Sequence, residues 1–325
     1  MVTNHIVFDE YYLGITAMVT VGIQLLFFLV AYFLQFDKVT DFAGTTNFIV
    51  LALLGFLLTG TYESRMIATT TCTIVWGIRI AGYLLYRILK TERDTRFDEI
   101  RGNFFRFLSF WVFQMMWVWV VSLPTTLTNS LGIRSLETFG NASDVLGVII
   151  FIFGFIIETV SDIQKFKFNS NRSNSLDVMN VGLWYYSRHP NYFGEILVWW
   201  GIFIISLGAD AQKRLIWLGI LSPIFTMFLL LFLSGIPQSE PQKDKKIIEN
   251  GNLDQKDAYF DYIRSTSPII MMPPRIYGAL PNFIKTLFFS NTLSTDSRKH
   301  KALSQSLRVA ITHIPIQQYT SNYLI

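Results

Sequence analysis

A chain of 325 residues with 51% hydrophobic and only 15% charged side chains departs far from the roughly 25% charge of a soluble domain, which excludes an ordinary water-soluble enzyme. The net charge of +4 excludes a nucleic-acid partner, because basic residues in so apolar a chain mark cytoplasmic loops and lipid headgroup contacts instead. One cysteine, Cys72, and four histidines exclude an intrachain disulfide and leave no Cys/His spacing for zinc.

The apolar residues gather into runs of the length that crosses a bilayer, which takes about 20 residues for ~30 Å of hydrocarbon. In chain order the predicted spans are Tyr11–Gln35, Thr45–Gly60, Met66–Leu89, Phe104–Leu123, Val145–Val160, Tyr192–Leu207 and Leu215–Leu233. The expected fold class is all-α, a polytopic membrane bundle of these seven transmembrane helices. The first run is not a signal peptide: Asp9 and Glu10 stand where a basic region belongs, and the apolar stretch is too long. Residues 1–35 thus form an N-terminal transmembrane helix and 36–289 the main membrane domain. Residues 290–325, rich in Ser, Thr, Lys and Arg, read as a flexible cytosolic tail.

Loop charges set the expected orientation. Lys38, then Lys90, Arg93, Arg96, Arg101 and Arg106, then Lys165, Lys167, Arg172 and Arg188, then Lys243, Lys245 and Lys246 all fall on one side. The other side holds Arg65, Arg134, Lys213 and Arg214. Basic residues stay cytoplasmic, so the C-terminus is expected in the cytosol and the N-terminus outside.

Two places within the spans carry charge. Arg79 lies in the middle of the third, where an arginine is costly and must face protein or water. It is either a ligand contact or half of an ion pair with Glu158 or Glu195, and Glu158 alternatively sits at the membrane interface. Glu195 follows Tyr192 by three residues, so the two share a helix face.

The most informative stretch is Gly182-Leu-Trp-Tyr-Tyr-Ser-Arg188-His189-Pro190-Asn191-Tyr192-Phe-Gly194-Glu195. Pro190 disfavours helix at His189 and suits the first turn of the next helix. Arg188 and His189 are therefore held on an elbow at a helix N-terminus, where an anion is favoured. Asp162, Lys165 and Lys167 after the fifth span, and Glu240 and Lys246 after the seventh, fall on the same predicted side. Together they form a basic, aromatic-lined mouth suited to a phosphorylated nucleotide.

The string Ser187-Arg-His-Pro-Asn-Tyr-Phe-Gly-Glu195 resembles the signature of membrane reductases related to steroid 5-alpha-reductase, closest to the branch with the steroid 5-alpha-reductase C-terminal domain, DUF1295. Further pieces agree in the family's order: Phe36-Asp-Lys-Val-Thr-Asp41, Trp76-Gly-Ile-Arg79, Arg96-Phe-Asp-Glu-Ile-Arg101, Gln164-Lys165, Ser234-Gly-Ile-Pro237 and Tyr262-Ile-Arg-Ser-Thr-Ser-Pro268. The resemblance spans about residues 36–285 and implies NADPH as cofactor and an endoplasmic reticulum location. By similarity to sterol delta-14 reductases, Lys165, Trp184, Asn191 and Tyr192 would contact the dinucleotide. By similarity to the steroid reductases, Asn191 and Glu195 would lie near the nicotinamide carboxamide, with Glu240 and Tyr262 completing a cytosolic cap. Arg188 and His189 join the cofactor-binding set through the elbow, and Tyr192 with Glu195 is the candidate catalytic pair. Relatives often place Arg where this chain has Asn169, and sterol reductases an Asp where it has Ser239.

The resemblance implies reduction of a carbon–carbon double bond in a lipid taken from the bilayer. If that lipid is an enone, Tyr83, Tyr62 and Tyr192 are possible donors to its carbonyl, with Glu63 able to orient one. The alternatives are an S-adenosylmethionine-dependent methyltransferase of the isoprenylcysteine type, whose elbow continues Gly-Trp where this chain has Gly194-Glu195, and a non-catalytic lipid-binding scaffold. No GxGxxG follows a strand, which excludes a Rossmann site.

Overall fold

The computed structural model describes residues 9–34, 39–91, 100, 102–131, 138–209, 214–281 and 283–285. The tail 290–325 lies outside the described residues, as do Lys38, Arg93, Arg96, Arg101, Arg134 and Lys213 of the charge argument. The described residues fall into two compact units, one drawn from Met1–Thr159 and Asn191–Gly235, the other from Val160–Pro190 and Ile236–Ile325.

The helices are α1 Leu13–Leu34, α2 Val39–Thr59, α3 Ser64–Thr91, α4 Phe104–Val121, α5 Leu123–Leu131, α6 Ala142–Asn171, α7 Pro190–Leu207, α8 Leu221–Phe228, α9 Ile236–Asn250, α10 Leu253–Ser265 and α11 Pro274–Ala279. Among the described residues seven segments are long and apolar enough to cross a membrane, as expected. The seventh is not one regular helix. A 3-10 stretch Arg214–Ile220 leads into α8, and a π turn Leu229–Leu233 closes it. Ser234 N donates to Leu229 O at 2.8 Å, the wider spacing of a π turn. A Cβ on Gly235 would sit 2.3 Å from Leu230 O, so only glycine lets the chain turn there.

The second span begins earlier than the sequence reading, at Val39, and the largest departures lie at the fifth span and after the fourth. The fifth span runs on to Asn171, because Asp162, Gln164 and Lys165 end the apolar window without ending the helix. Helix α5, Leu-Pro-Thr-Thr-Leu-Thr-Asn-Ser-Leu, was not expected. Its polar side chains are buried against α2 and α3: Thr59 Oγ1 donates to Asn129 O at 2.8 Å, and Thr73 and Thr125 hydroxyls meet at 2.7 Å. Hydropathy cannot register a helix that satisfies itself with interhelical hydrogen bonds.

Helices α2, α3, α4, α6 and α7 share a core of Phe48, Leu51, Trp76, Val118, Phe151, Val198, Trp199 and Ile202. Trp76 and Trp199 meet edge to face with centroids 4.8 Å apart, the geometry their quadrupoles favour. A second seam is polar. Gln24 of α1 donates to Asn47 of α2 at 3.1 Å, and Gln114 of α4 donates to Gln24 at 3.1 Å.

Helices α6 and α7 pack backbone to backbone. Gly147 and Gly154 on α6 face Gly201 and Gly194 on α7: a Cβ on Gly154 would lie 2.7 Å from Gly194 O, and one on Gly201 would lie 2.8 Å from Gly147 O. Small residues allow this approach between apolar helices. Beside the contact, Arg79 of α3 pairs with Glu158 of α6, which also accepts from Trp76 Nε1 at 3.1 Å. Glu158 is 2% exposed, and the ion pair of Arg79 with Glu158, one of the two partners expected from sequence, is present. Arg65, counted above among the loop cations, is buried in a bidentate pair with Asp144, its Nε and Nη2 each 2.8 Å from one carboxylate oxygen. Asp144 also accepts from Gly140 N at 2.9 Å, at the start of α6.

The second unit builds its own small core from Leu176, Ile247, Tyr259, Phe260 and Ile263. Helix α10 opens with a capping box between Asn252 and Gln255, which satisfies two N-terminal donors reciprocally.

Candidate functional site: a basic, aromatic-walled cavity

A cavity of about 470 Å³ lies wholly within the second unit, in the size range of small-molecule sites. The end of α6 contributes Lys165, Phe168 and Asn169. The elbow contributes Trp184, Arg188 and His189. Helix α9 contributes Ser239, Glu240, Lys243 and Lys246, and α10 contributes Tyr259 and Tyr262. Glu240, Lys243 and Lys246 recur every three positions, which is one helix face.

Local hydrogen bonds fix the elbow. Gly182 has φ +61°, and a Cβ there would lie 2.5 Å from the Gln164 side chain; Gln164 Oε1 accepts from Leu183 N at 2.9 Å. The 3-10 turn Gly182–Tyr185 follows and buries Trp184, whose indole N–H donates to Ser161 O at 3.0 Å. The Tyr262 hydroxyl donates to Trp184 O at 2.8 Å. Ser187 forms a bridge with Ser267, and Arg188 N donates to Ser267 O at 2.8 Å. Helix α7 then starts at Pro190, as the sequence predicts.

The charges are arranged around Glu240. Its Oε1 lies 3.2 Å from Arg188 Nε and 3.1 Å from His189 Nε2. Arg188 is 6% exposed, yet its Nη1 has no hydrogen-bond partner among the described residues. Lys165 Nζ sits 4.9 Å from the Trp184 ring centroid, and Lys243 Nζ sits 5.1 Å from that of Tyr259. The Tyr259 hydroxyl donates to Asp244 at 2.6 Å. Five basic side chains (Lys165, Arg172, Arg188, Lys243 and Lys246) line the cavity against two acidic ones, Asp177 and Glu240.

Burial governs the proton affinities. It pushes His189 down to about 4, against the opposing pull of Glu240, so the imidazole is neutral near pH 7 and donates from Nε2. Burial works to raise Glu240, but Arg188 and the His189 hydrogen bond prevail and hold it below the usual carboxylate range. Lys243 is brought down to about 8, by burial first and then by Lys165. Asp244 is raised by burial, and Tyr259 is raised by burial and by its bond to Asp244.

Of the residues named from sequence, Lys165, Trp184, Arg188, His189, Glu240 and Tyr262 come together here. Asn191, Tyr192 and Glu195 belong to the other unit, on the first turns of α7, each half-buried. Asn191 Oδ1 is buried and accepts no hydrogen bond among the described residues. Sequence reasoning missed Arg172, Lys243, Asp244 and Tyr259 as site residues. The available signal was the Glu240–Lys243–Ile247 spacing, which puts charge and core on adjoining stripes of one helix. Asn169 lines the cavity, and Arg172, three residues on, brings a guanidinium to the same wall.

Seven candidate membrane-spanning segments among the described residues define the class, a polytopic helical membrane protein. The chain belongs to the family described as Protein of unknown function (DUF1295), which matches residues 27–266. It is similar to the uncharacterized protein C594.04c of Schizosaccharomyces pombe, 25% identical over 211 residues that cover 56% of this chain and 58% of that one. The chain thus spans under two thirds of that relative's length. No solved structure matches.

Proposed function

We propose that the protein is an NADPH-dependent reductase of a carbon–carbon double bond in a membrane lipid, a steroid, sterol or isoprenoid enone. The observation that carries this reading is the buried Arg188, whose Nη1 has no hydrogen-bond partner among the described residues, inside a cavity of five basic and two acidic side chains. Such a wall favours a polyanionic ligand and opposes S-adenosylmethionine, whose net charge is positive. Unsatisfied buried donors are costly, and a phosphate oxygen is the acceptor a guanidinium fork fits best.

In this reading Arg188, Lys165 and Lys243 hold the phosphates, and Glu240 keeps Arg188 and His189 oriented. Trp184, locked by Ser161 and Tyr262, gives a rigid apolar wall. Asn191 Oδ1 would accept from the nicotinamide carboxamide. Bound NADPH would supply hydride. Tyr192 would donate a hydrogen bond to the enone oxygen as charge builds there, with Glu195, three residues on, orienting it. Tyr62 is 59% exposed and suits that role less well.

The purified protein can be titrated with NADPH and with S-adenosylmethionine while thermal stability is followed, since a ligand bound only by the folded state raises it. The reading expects stabilisation by NADPH that Arg188→Ala removes. Stabilisation by the methyl donor alone would replace it with the methyltransferase reading, and by neither with a lipid-binding scaffold.

A further inference from the structure

Single exposed apolar side chains are ordinary on any protein, but the second unit gathers them on two stretches of chain. Val181, Tyr185 and Tyr186 are exposed on the first, and Ile270, Ile276 and Phe283 on the second, with Ile276 57% and Phe283 69% exposed. Neither residues 178–190 nor residues 266–285 include an acidic side chain. The acidic residues of this part of the chain stand on α9 and α10 instead.

Hydrogen bonds join the two stretches. Met272 N donates to Tyr186 O at 3.2 Å, and the Ser187 hydroxyl donates to Ile269 O at 2.9 Å. Helix α11 follows at once, and Lys285 closes the segment behind Phe283. Its ammonium donates to Gly278 O at 3.1 Å and to Arg264 O at 3.3 Å, and it lies 4.8 Å from the Tyr277 ring centroid. The first stretch is fixed in turn to the end of an apolar span. Leu183 N bonds Gln164 and the Trp184 indole bonds Ser161, on the turn of α6 where Val160 and Ile163 are themselves exposed.

We propose that Val181, Tyr185, Tyr186 and the segment 269–285 form an interfacial foot, which seats the second unit in the boundary between lipid headgroups and acyl chains. The composition suits that depth. Tyrosine rings favour the interface, and Ile270, Ile276 and Phe283 are the side chains that enter the acyl edge. Pro273, Pro274 and Pro281 keep the segment from running on as one spanning helix. Lipid is the occupant, rather than a second protein, because the first stretch is bonded to the last apolar turn of a candidate span and continues its exposed apolar side chains. Arg275 is the exposed charge of the segment, too little to demand an anionic membrane, so a neutral phosphatidylcholine surface suffices. Arg188 N is bonded to Ser267 O, just ahead of the segment, so the foot holds that wall of the cavity at the level of the headgroups.

The test uses the full-length protein in phosphatidylcholine vesicles, with Cys72→Ala removing the one native cysteine. A nitroxide is placed on Ile276→Cys or Phe283→Cys, and its collisions with oxygen, which concentrates in lipid, are compared with those of a water-soluble nickel complex. Lys245→Cys, on the charged and exposed side of α9, gives the value for water, and Met18→Cys, exposed on α1, the value for lipid. Both foot labels should show an oxygen-to-nickel ratio severalfold above that of Lys245→Cys. Ratios equal to that of Lys245→Cys would overturn the foot by placing the segment in water. Labels shielded from both reagents would overturn it as well, by showing a protein surface or a second copy there instead of lipid. Ile270→Cys supplies a further position should either variant fail to fold.

Discussion

His189 Nε2 and Glu240 Oε1 lie 3.1 Å apart, and it is the neutral imidazole that fits there. Because burial holds His189 at about 4 in the fold against its ordinary 6.5, the unfolded chain binds more protons between those values. Stability therefore falls as pH drops from 6.5 towards 4, by on the order of 3 kcal/mol when the shift is fully expressed. Glu240, held below its ordinary 4.5, adds stability that is present above that pH and lost as pH falls further. Melting temperatures between pH 7.5 and 3 should show both limbs, and His189→Gln should flatten the first. A wild-type melting temperature level from pH 7 to 5 would contradict this.

Lys243 gives the opposite limb for binding. With its pKa brought down to about 8, it loses charge in mildly alkaline solution, whereas an ordinary lysine keeps it. Affinity for an anionic ligand should therefore weaken severalfold between pH 7 and 9. Inorganic pyrophosphate is a sufficient probe, followed by calorimetry. Lys243→Met should bind more weakly at pH 7 and show little further change up to pH 9.

Gly182 is needed twice over, for its φ of +61° and for the space that Gln164 occupies. Gly182→Ala should cost about 1–3 kcal/mol through backbone strain and crowding. Adding Gln164→Ala removes the crowding and leaves the strain, so the double variant should recover only part of the loss. Full recovery in chemical denaturation would mean that the backbone conformation costs nothing.

Glu158 neutralises Arg79 within the apolar region and also holds the Trp76 indole. Removing one partner of a buried pair is far worse than removing both, about 3–5 kcal/mol for the single change. Glu158→Ala should be strongly destabilising in detergent, and Arg79→Met with Glu158→Met together less so. A double variant worse than either single one would show that Arg79 has a separate role.

What could be read from the residues follows the physics of each segment. The seven spans were legible because apolar length is a direct demand of the bilayer. The π turn before Gly235 was not, because it depends on an approach to the Leu230 carbonyl that no periodicity encodes. Helices α9 and α10 were missed for another reason: Lys243, Lys245, Lys246 and Asp257 hide their apolar stripes from any hydropathy window. In the candidate site, the Arg-His-Pro elbow was visible as a string, whereas Lys243 and Tyr259 sit on those two polar helices and carry no motif. That Glu158 pairs with Arg79 was beyond reach too, since Glu158 and Glu195 were equally plausible until the chain folded.

The glycine contact between α6 and α7 leaves less than a methyl group's width along its length. Such a seam is shut to acyl chains and flat ring systems alike. In the proposed lipid-reductase reading, a hydrophobic substrate would have to enter elsewhere on the perimeter, and enlarging these glycines would pry the pair apart without opening a route.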